Sequence, residues 1–369
     1  MLSIDRRSLQ HFDWVLLGLA AAVVAIGLAN LYSATQPGTP SGLPAEFRRQ
    51  LLALGVGLAA ALVATLVDYR RLERWAPSLY LASLVAVAST LIFAPLIRGN
   101  RSWLVWGPAS LQPAELAKLG LILMLARSFH RHPPSEIRRL RDLWTPALIS
   151  AGPVLLIVLQ RDMGVAVLTA LLAATYLPFV RIPARAWSVV AGSVVLTFAG
   201  LWRFVFEDYQ RGRILDFLDP ARDPLASGYQ AIQSRIAIGS GGLFGQGYLH
   251  GPQTQLQFLP TQHSDFAFSV LAEEWGFAGG IVLLGLYLAL LIWGLVVAGR
   301  SKDRFGGMLA VGVVGMLFWP AALNVAMVLG LAPVIGVPLP LVSYGGSQLL
   351  ANLVALGLLQ NVSMRRYIF

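Results

Sequence analysis

The stretch "DFAFSVLAEEWGFAGGIVLLGLYLALLIWGLVV", residues 265–297, carries only three charges, Asp265, Glu273 and Glu274, and all lie in its N-terminal third. A helix needs about 20 apolar residues to cross the hydrocarbon of a bilayer, and this run is long enough. The rest of the chain extends the reading. With 56% hydrophobic and 12% charged residues, and a mean hydropathy of +0.67, the chain is too apolar to clothe a water-soluble domain.

Ten runs have the length to span: 14–34, 51–67, 76–97, 111–129, 143–159, 163–180, 187–206, 265–297, 305–329 and 342–360. The expected fold is an all-α polytopic membrane protein of about ten transmembrane helices. The first run is too long for a signal-peptide core and no small-residue cleavage pattern follows it, so it is expected to stay in the mature chain. Gln160, Arg161 and Asp162 separate the fifth and sixth runs, and charge distribution decides whether these are one helix or two. With ten spans and a cytoplasmic N-terminus, seventeen basic residues fall inside, from Arg6 and Arg7 through Arg138 to Arg366. Five fall in the short outer loops: Arg48, Arg49, Arg98, Arg101 and Arg161. That bias follows the positive-inside rule and puts both termini in the cytoplasm. Merging the two runs would invert everything downstream.

The net charge of +10 comes from short basic clusters between apolar runs, without a basic face or a nucleic-acid-binding motif. Membrane orientation and anionic lipid account for it, and nucleic acid is not an expected partner. Cysteine is absent, which excludes disulfides, thiolate catalysis and cysteine-ligated zinc. No repeat or appended soluble domain is visible, so residues 1–369 read as one transmembrane domain. Its one large extracytoplasmic loop, about 207–264, is expected to pack on the membrane surface as short amphipathic helices.

Four groups of residues could carry chemistry. Ser264 reads as an N-cap and Asp265 as the first residue of a helix, at its positive end, where a carboxylate is stabilised as the anion. That suits a general base or a ligand for a divalent cation, and equally a charge that only complements the helix dipole. On a continuous helix Glu274 falls opposite Asp265 and Glu273 about 80° away, so the three cannot line one pocket. At least one glutamate is expected to meet a polar partner on a neighbouring helix. Glu115 and Lys118 share a helix face at i, i+3, as a buried brace or as the lining of a substrate cavity. Arg101 could hold a phosphate bidentately or simply rest among headgroups. Arg161 and Asp162 could pair in a turn, and the uncharged, Pro- and Gly-rich 330–348 segment suits irregular backbone lining a cavity.

Several long motifs occur in an order that resembles one family. They are "NRSWL" followed by "QPAELAK", then "GYQAIQSRIAIGSGGLFGQGYLHGPQTQLQFLPTQHSDFAF", then "GVPLPLVSYGGSQ". On these the chain is identified as a member of the SEDS proteins (shape, elongation, division and sporulation), nearer the elongation branch. Thr261, Ser264, Ile335 and the "QRDMGV" turn at 160–165 depart from the family pattern, although Asp162 and Gly164 remain.

The resemblance implies a peptidoglycan glycosyltransferase that polymerises lipid II at the outer face of the bacterial cytoplasmic membrane. Its expected partners are lipid II with the nascent glycan, a class B penicillin-binding protein of the PBP2 type, and other membrane proteins of the elongation complex. Asp265 takes the catalytic position, with a divalent cation (Mg or Mn) as an alternative role for it and no organic cofactor. Arg101, Glu115, Lys118, Asp162, His263 and Ser343 take substrate-binding positions. A groove between helices, open to the bilayer, is expected for the polyprenyl tail, with small residues in spans two and six. A lipid II flippase and a non-catalytic scaffold are the competing readings.

Overall fold

The computed structural model describes residues 11–36, 42–97, 99–107, 109–133, 137, 139–219 and 227–366. Arg6, Arg7, Arg98 and Arg138 lie outside the described residues. In chain order the helices are α1 (Trp14–Thr35), α2 (Ala45–Leu66), α3 (Tyr69–Phe93), α4 (Pro113–Arg131), α5 (Trp144–Leu159), α6 (Met163–Ala174) and α7 (Ala184–Phe204). Then follow α8 (Asp208–Leu218), α9 (Ser227–Ser240), α10 (Pro252–Gln255), α11 (Ala267–Gly299), α12 (Arg304–Val328) and α13 (Gly346–Arg365). Each of the ten apolar runs coincides with one helix. The sole sheet among the described residues is a small hairpin before α4, β1 (Leu104–Trp106) antiparallel to β2 (Ala109–Leu111), which the sequence reading did not anticipate.

Among the described residues seven helices are long and apolar enough to cross a membrane: α1, α2, α3, α5 with its preceding turn, α7, α11 and α12. The three others have physical reasons to differ. Helices α4 and α13 are buried along most of their length. Facing protein instead of lipid, they can carry Glu115, Lys118, Asn352 and Asn361 without exposing them to hydrocarbon. Helix α6 has 12 residues, about 18 Å of rise, and stops at a 3-10 turn, Leu177–Phe179, instead of running on to residue 180.

Aspartates set several helix starts, their carboxylates accepting from free first-turn amides. Asp13 accepts from Leu16 N at 3.1 Å, Asp162 from Val165 N at 3.3 Å and Asp303 from Gly306 N at 2.7 Å. Asp13 also accepts from Ser363 Oγ at 2.7 Å and Trp293 Nε1 at 3.0 Å, which ties α1, α11 and α13 together at one end of the bundle. Fourteen of the seventeen basic residues assigned to the inside are described, and all lie at that end. The chain between α7 and α11 gathers at the other end.

That long segment does more than rest on a surface. Ser234 and Ala237 of α9 are fully buried, and Ser234 Oγ donates to Val328 O at 2.8 Å. Residues 242–247 plug a break in α11. At Gly276 the backbone leaves the helix (φ 68, ψ −165), which releases carbonyls before it and amides after it. The carbonyls of Glu273 and Glu274 accept from Gln246 N at 2.9 Å and Gly247 N at 3.1 Å. The amides of Phe277 and Ala278 donate to Gly242 O at 2.9 Å and Leu243 O at 3.0 Å. These four groups are matched by the inserted segment, as membrane burial requires.

A Cβ at Gly276 would lie 2.3 Å from Gly245 N, at a positive φ. Gly276→Ala is therefore expected to destabilise by about 2 kcal/mol or more. Gly285→Ala, where nothing lies within 4 Å of the added carbon, is expected to be neutral or stabilising by up to about 1 kcal/mol. Thermal unfolding of both variants in detergent checks the contrast.

Candidate active site

Asp265 is not on a helix. Residues 260–266 form turns and α11 begins at Ala267 with Phe266 as its cap residue, so neither the Ser264 N-cap nor the rotational argument from Asp265 to Glu273 and Glu274 holds. The Ser264 hydroxyl instead donates back to Thr261 O at 3.3 Å. Thr261 sits at φ 51, a costly conformation for a β-branched residue, and its carbonyl accepts from the amides of Ser264 at 3.0 Å and Asp265 at 3.2 Å.

The loop between α12 and α13 closes over this turn. Asn324, fully buried in α12, donates from Nδ2 to Asp265 O at 2.7 Å and to Val337 O at 2.6 Å. One amide thus fixes both strands of backbone. Tyr344 N donates to His263 O at 2.8 Å, and the His263 and Tyr344 rings pack edge to face. Ser343 Oγ accepts from Leu339 N at 2.9 Å and donates to Ser264 O. From α2, Gln50 clamps the same loop, donating to Ser343 O and accepting from Gly345 N, both at 3.1 Å. Gly336, at φ 71, leaves room for the half-buried Asp265 carboxylate, since a Cβ there would lie 3.4 Å from Oδ2.

A second polar cluster adjoins the first. A Cβ at Gly164 would sit 2.7 Å from Ile335 O, so the start of α6 packs on the residue before Gly336. Asp162, two residues before Gly164, accepts from Gln112 Nε2 at 3.0 Å, and Gln112 N donates to Ser347 Oγ at 3.0 Å. Burial pushes the Asp162 carboxyl up, against the pull of the Val165 amide, and Glu115 and Lys118 are near enough to act on it in opposite directions. The Glu115–Lys118 pair expected on one face is present at 2.8 Å and nearly inaccessible to solvent. Among the described residues Glu115 Oε2 has no hydrogen-bond partner. Arg101 is exposed beside the same turn, its amide donating to Gln160 O and its guanidinium to Leu91 O, both at 3.3 Å.

Other residues fall elsewhere. Arg161 does not pair with Asp162: it adopts φ 64 and reaches Glu207, while Asp162 caps α6. Glu274 meets Ser33 of α1, the polar partner expected on a neighbouring helix. Glu273 accepts from the Gln253 and Thr254 amides at 2.7 and 3.1 Å and from Thr254 Oγ1 at 2.7 Å. Both glutamates anchor the long segment. Among the described residues no group of three or more His, Asp or Glu converges as a metal cage. A bilayer-facing groove of about 460 Å³ lies between α1 and α2 over α13, lined by Leu17, Leu28, Leu58 and Leu62 among others. It includes small residues of span two but none of span six, and runs along the half of the bundle remote from Asp265.

Sequence reasoning missed Asn324, Gln50 and Gln112. An amide inside an apolar span was the available signal for Asn324, since such groups bond across helices. Nothing local distinguishes the other two.

A family profile described as "Cell cycle protein", covering FtsW, RodA and SpoVE, matches residues 10–368. The chain is 38% identical to the peptidoglycan glycosyltransferase MrdB of Escherichia coli K12, over 96% of this chain and 94% of that one. A chain from a peptidoglycan synthase complex, in a study of how polymerization and crosslinking are coordinated, superposes with a TM-score of 0.82 at 39% identity, covering 97% and 99% of the two chains. The rod shape determining protein RodA of Thermus thermophilus gives 0.71 at 36%, covering 97% and 98%.

Asn324→Ala removes the donor shared by Asp265 O and Val337 O. A loss of about 1–3 kcal/mol and faster amide exchange at residues 265–269 are expected by hydrogen–deuterium exchange. Lys118→Met leaves Glu115 buried without its counter-ion and is expected to cost about 3–5 kcal/mol. Adding Glu115→Gln should recover most of that loss, which thermal unfolding of the single and double variants measures.

Proposed function

The chain belongs to the FtsW, RodA and SpoVE family of cell cycle proteins, and from that premise we propose that it is a peptidoglycan glycosyltransferase polymerising lipid II during cell elongation. It is a multi-pass membrane protein. The observation that carries the reading is the Asp265 carboxylate, held on non-helical backbone beside Gly336 and joined through Ile335 and the Asp162 turn to the buried Glu115–Lys118 pair. One cluster offers a proton acceptor, the other a cation for a leaving group.

In the proposed reaction the 4-hydroxyl of GlcNAc on incoming lipid II attacks the anomeric carbon of the growing chain. A glycosidic C–O bond forms as the bond to polyprenyl pyrophosphate breaks, with inversion. Asp265 takes the hydroxyl proton. Lys118 and Arg101 face the departing pyrophosphate, whose charge grows in the transition state. Asp162, His263 and Ser343 are assigned to substrate binding, Ser343 chiefly by holding the Ser264 carbonyl in place. A divalent cation, if used, would be held by the Asp265 carboxylate and would supply positive charge to neutralise the leaving group.

The basic residues at the end opposite Asp265 support cytoplasmic termini, an outward-facing site and residence in the bacterial cytoplasmic membrane. Likeness to a chain of a peptidoglycan synthase complex supports a class B penicillin-binding protein as partner. Confinement of the proposed site residues to one end favours an enzyme over a flippase, which needs polar groups through the membrane depth.

The test is polymerisation of purified lipid II by the protein with its transpeptidase partner. Asp265→Asn is expected to lower the rate at least about 10²-fold while unfolding at the wild-type temperature. Equal rates would remove Asp265 from the chemistry, and no synthesis by either protein would favour the flippase or scaffold.

A further inference from the structure

The end of the bundle remote from Asp265 carries a polar cavity of about 450 Å³ between the start of α3 and the end of α4. Its walls hold Arg70 and Arg74 on α3 and Arg127 and Arg131 on α4. Each pair is spaced i, i+4, so like charges share a helix face, an arrangement that destabilises an isolated helix. Here two such faces meet across one cavity.

The cavity also holds His130, Glu73 and Asp303, and both acidic groups have partners other than the four arginines. Asp303 caps α12 through Gly306 N and accepts from the Tyr69 hydroxyl, and Glu73 stands 3.8 Å from His130 Nε2. Arg127 donates to Arg74 O at 3.2 Å. Among the described residues neither Arg74 nor Arg131 has an ion-pair partner, and both are exposed. Such a cup calls for an anion with several acceptor oxygens, which guanidinium groups match.

The depth of the cavity identifies the anion. Trp14, Trp75 and Trp144 are exposed by 72%, 54% and 69%, and each lies in the first or second turn of a helix that starts at this end. Exposed tryptophans at one level mark the membrane–water interface. Trp75 adjoins Arg74, so the cup opens at headgroup depth.

We propose that this cavity binds the phosphate headgroup of an anionic phospholipid. The inference rests on the membrane reading and not on the catalytic one. Basic pockets between helices at a cytoplasmic surface suit this ligand, with each arginine contributing about fivefold in affinity.

The test is native mass spectrometry of the full chain released from nanodiscs of phosphatidylglycerol and phosphatidylcholine. Wild type is expected to retain phosphatidylglycerol preferentially. Arg74→Gln and Arg131→Gln, both exposed and so compatible with folding, should each weaken retention about fivefold and together about 30-fold. Arg185→Gln, on the same face outside the cavity, should change nothing. Polymerisation of lipid II by all variants should match wild type. Three results would overturn the proposal: equal retention by the double variant, an equal loss in Arg185→Gln, or saturable binding of inorganic phosphate alone that the Arg74→Gln and Arg131→Gln substitutions abolish.

Discussion

Backbone that leaves a helix at membrane depth must find its hydrogen-bond partners inside the protein, and the architecture around Asp265 follows from that requirement. Helix α11 is interrupted at Gly276, and the backbone of residues 242–247 supplies the missing partners. The turn before α11 is non-helical too, and there Asn324, Gln50 and Ser343 do the equivalent work. The long segment between α7 and α11 is thus built into the bundle, with Glu273 and Glu274 as its anchors.

The polar groups around these breaks differ in what they contact. Glu273 and Gln50 spend their hydrogen-bonding capacity on backbone and a neighbouring hydroxyl, so they hold shape. Asp265 stands over Gly336, and Glu115 pairs with Lys118 inside the bundle. The short path from Gly336 through Ile335 to Gly164 and Asp162 couples the two clusters mechanically, because backbone packs directly on backbone there.

The helical architecture was legible because hydrophobic length is the dominant signal in a membrane chain, and ten runs became ten helices. The central place of α4 and α13 was not, since burial by other helices cannot be seen in local sequence. Glu115 and Lys118 were legible from spacing alone. Asp265 was placed on a helix because a good N-cap residue, Ser264, precedes it, yet tertiary bonds from Asn324 and the Thr261 turn override that local preference. The Arg161–Asp162 pairing failed for a similar reason: capping α6 occupies one partner, and a left-handed backbone carries the other toward Glu207. The Gly276 break left no trace in composition, since glycine is frequent in membrane helices.

The central claim is that Asp265 faces the reacting hydroxyl while the Glu115–Lys118 cluster faces the pyrophosphate. A structure of the protein with a non-reactive lipid II analogue measures both distances at once. The account predicts the acceptor 4-hydroxyl within about 2.6–3.2 Å of an Asp265 oxygen, with pyrophosphate oxygens in hydrogen-bond reach of Lys118 or Arg101. A sugar bound away from Asp265, with the carboxylate turned into protein contacts only, would contradict it.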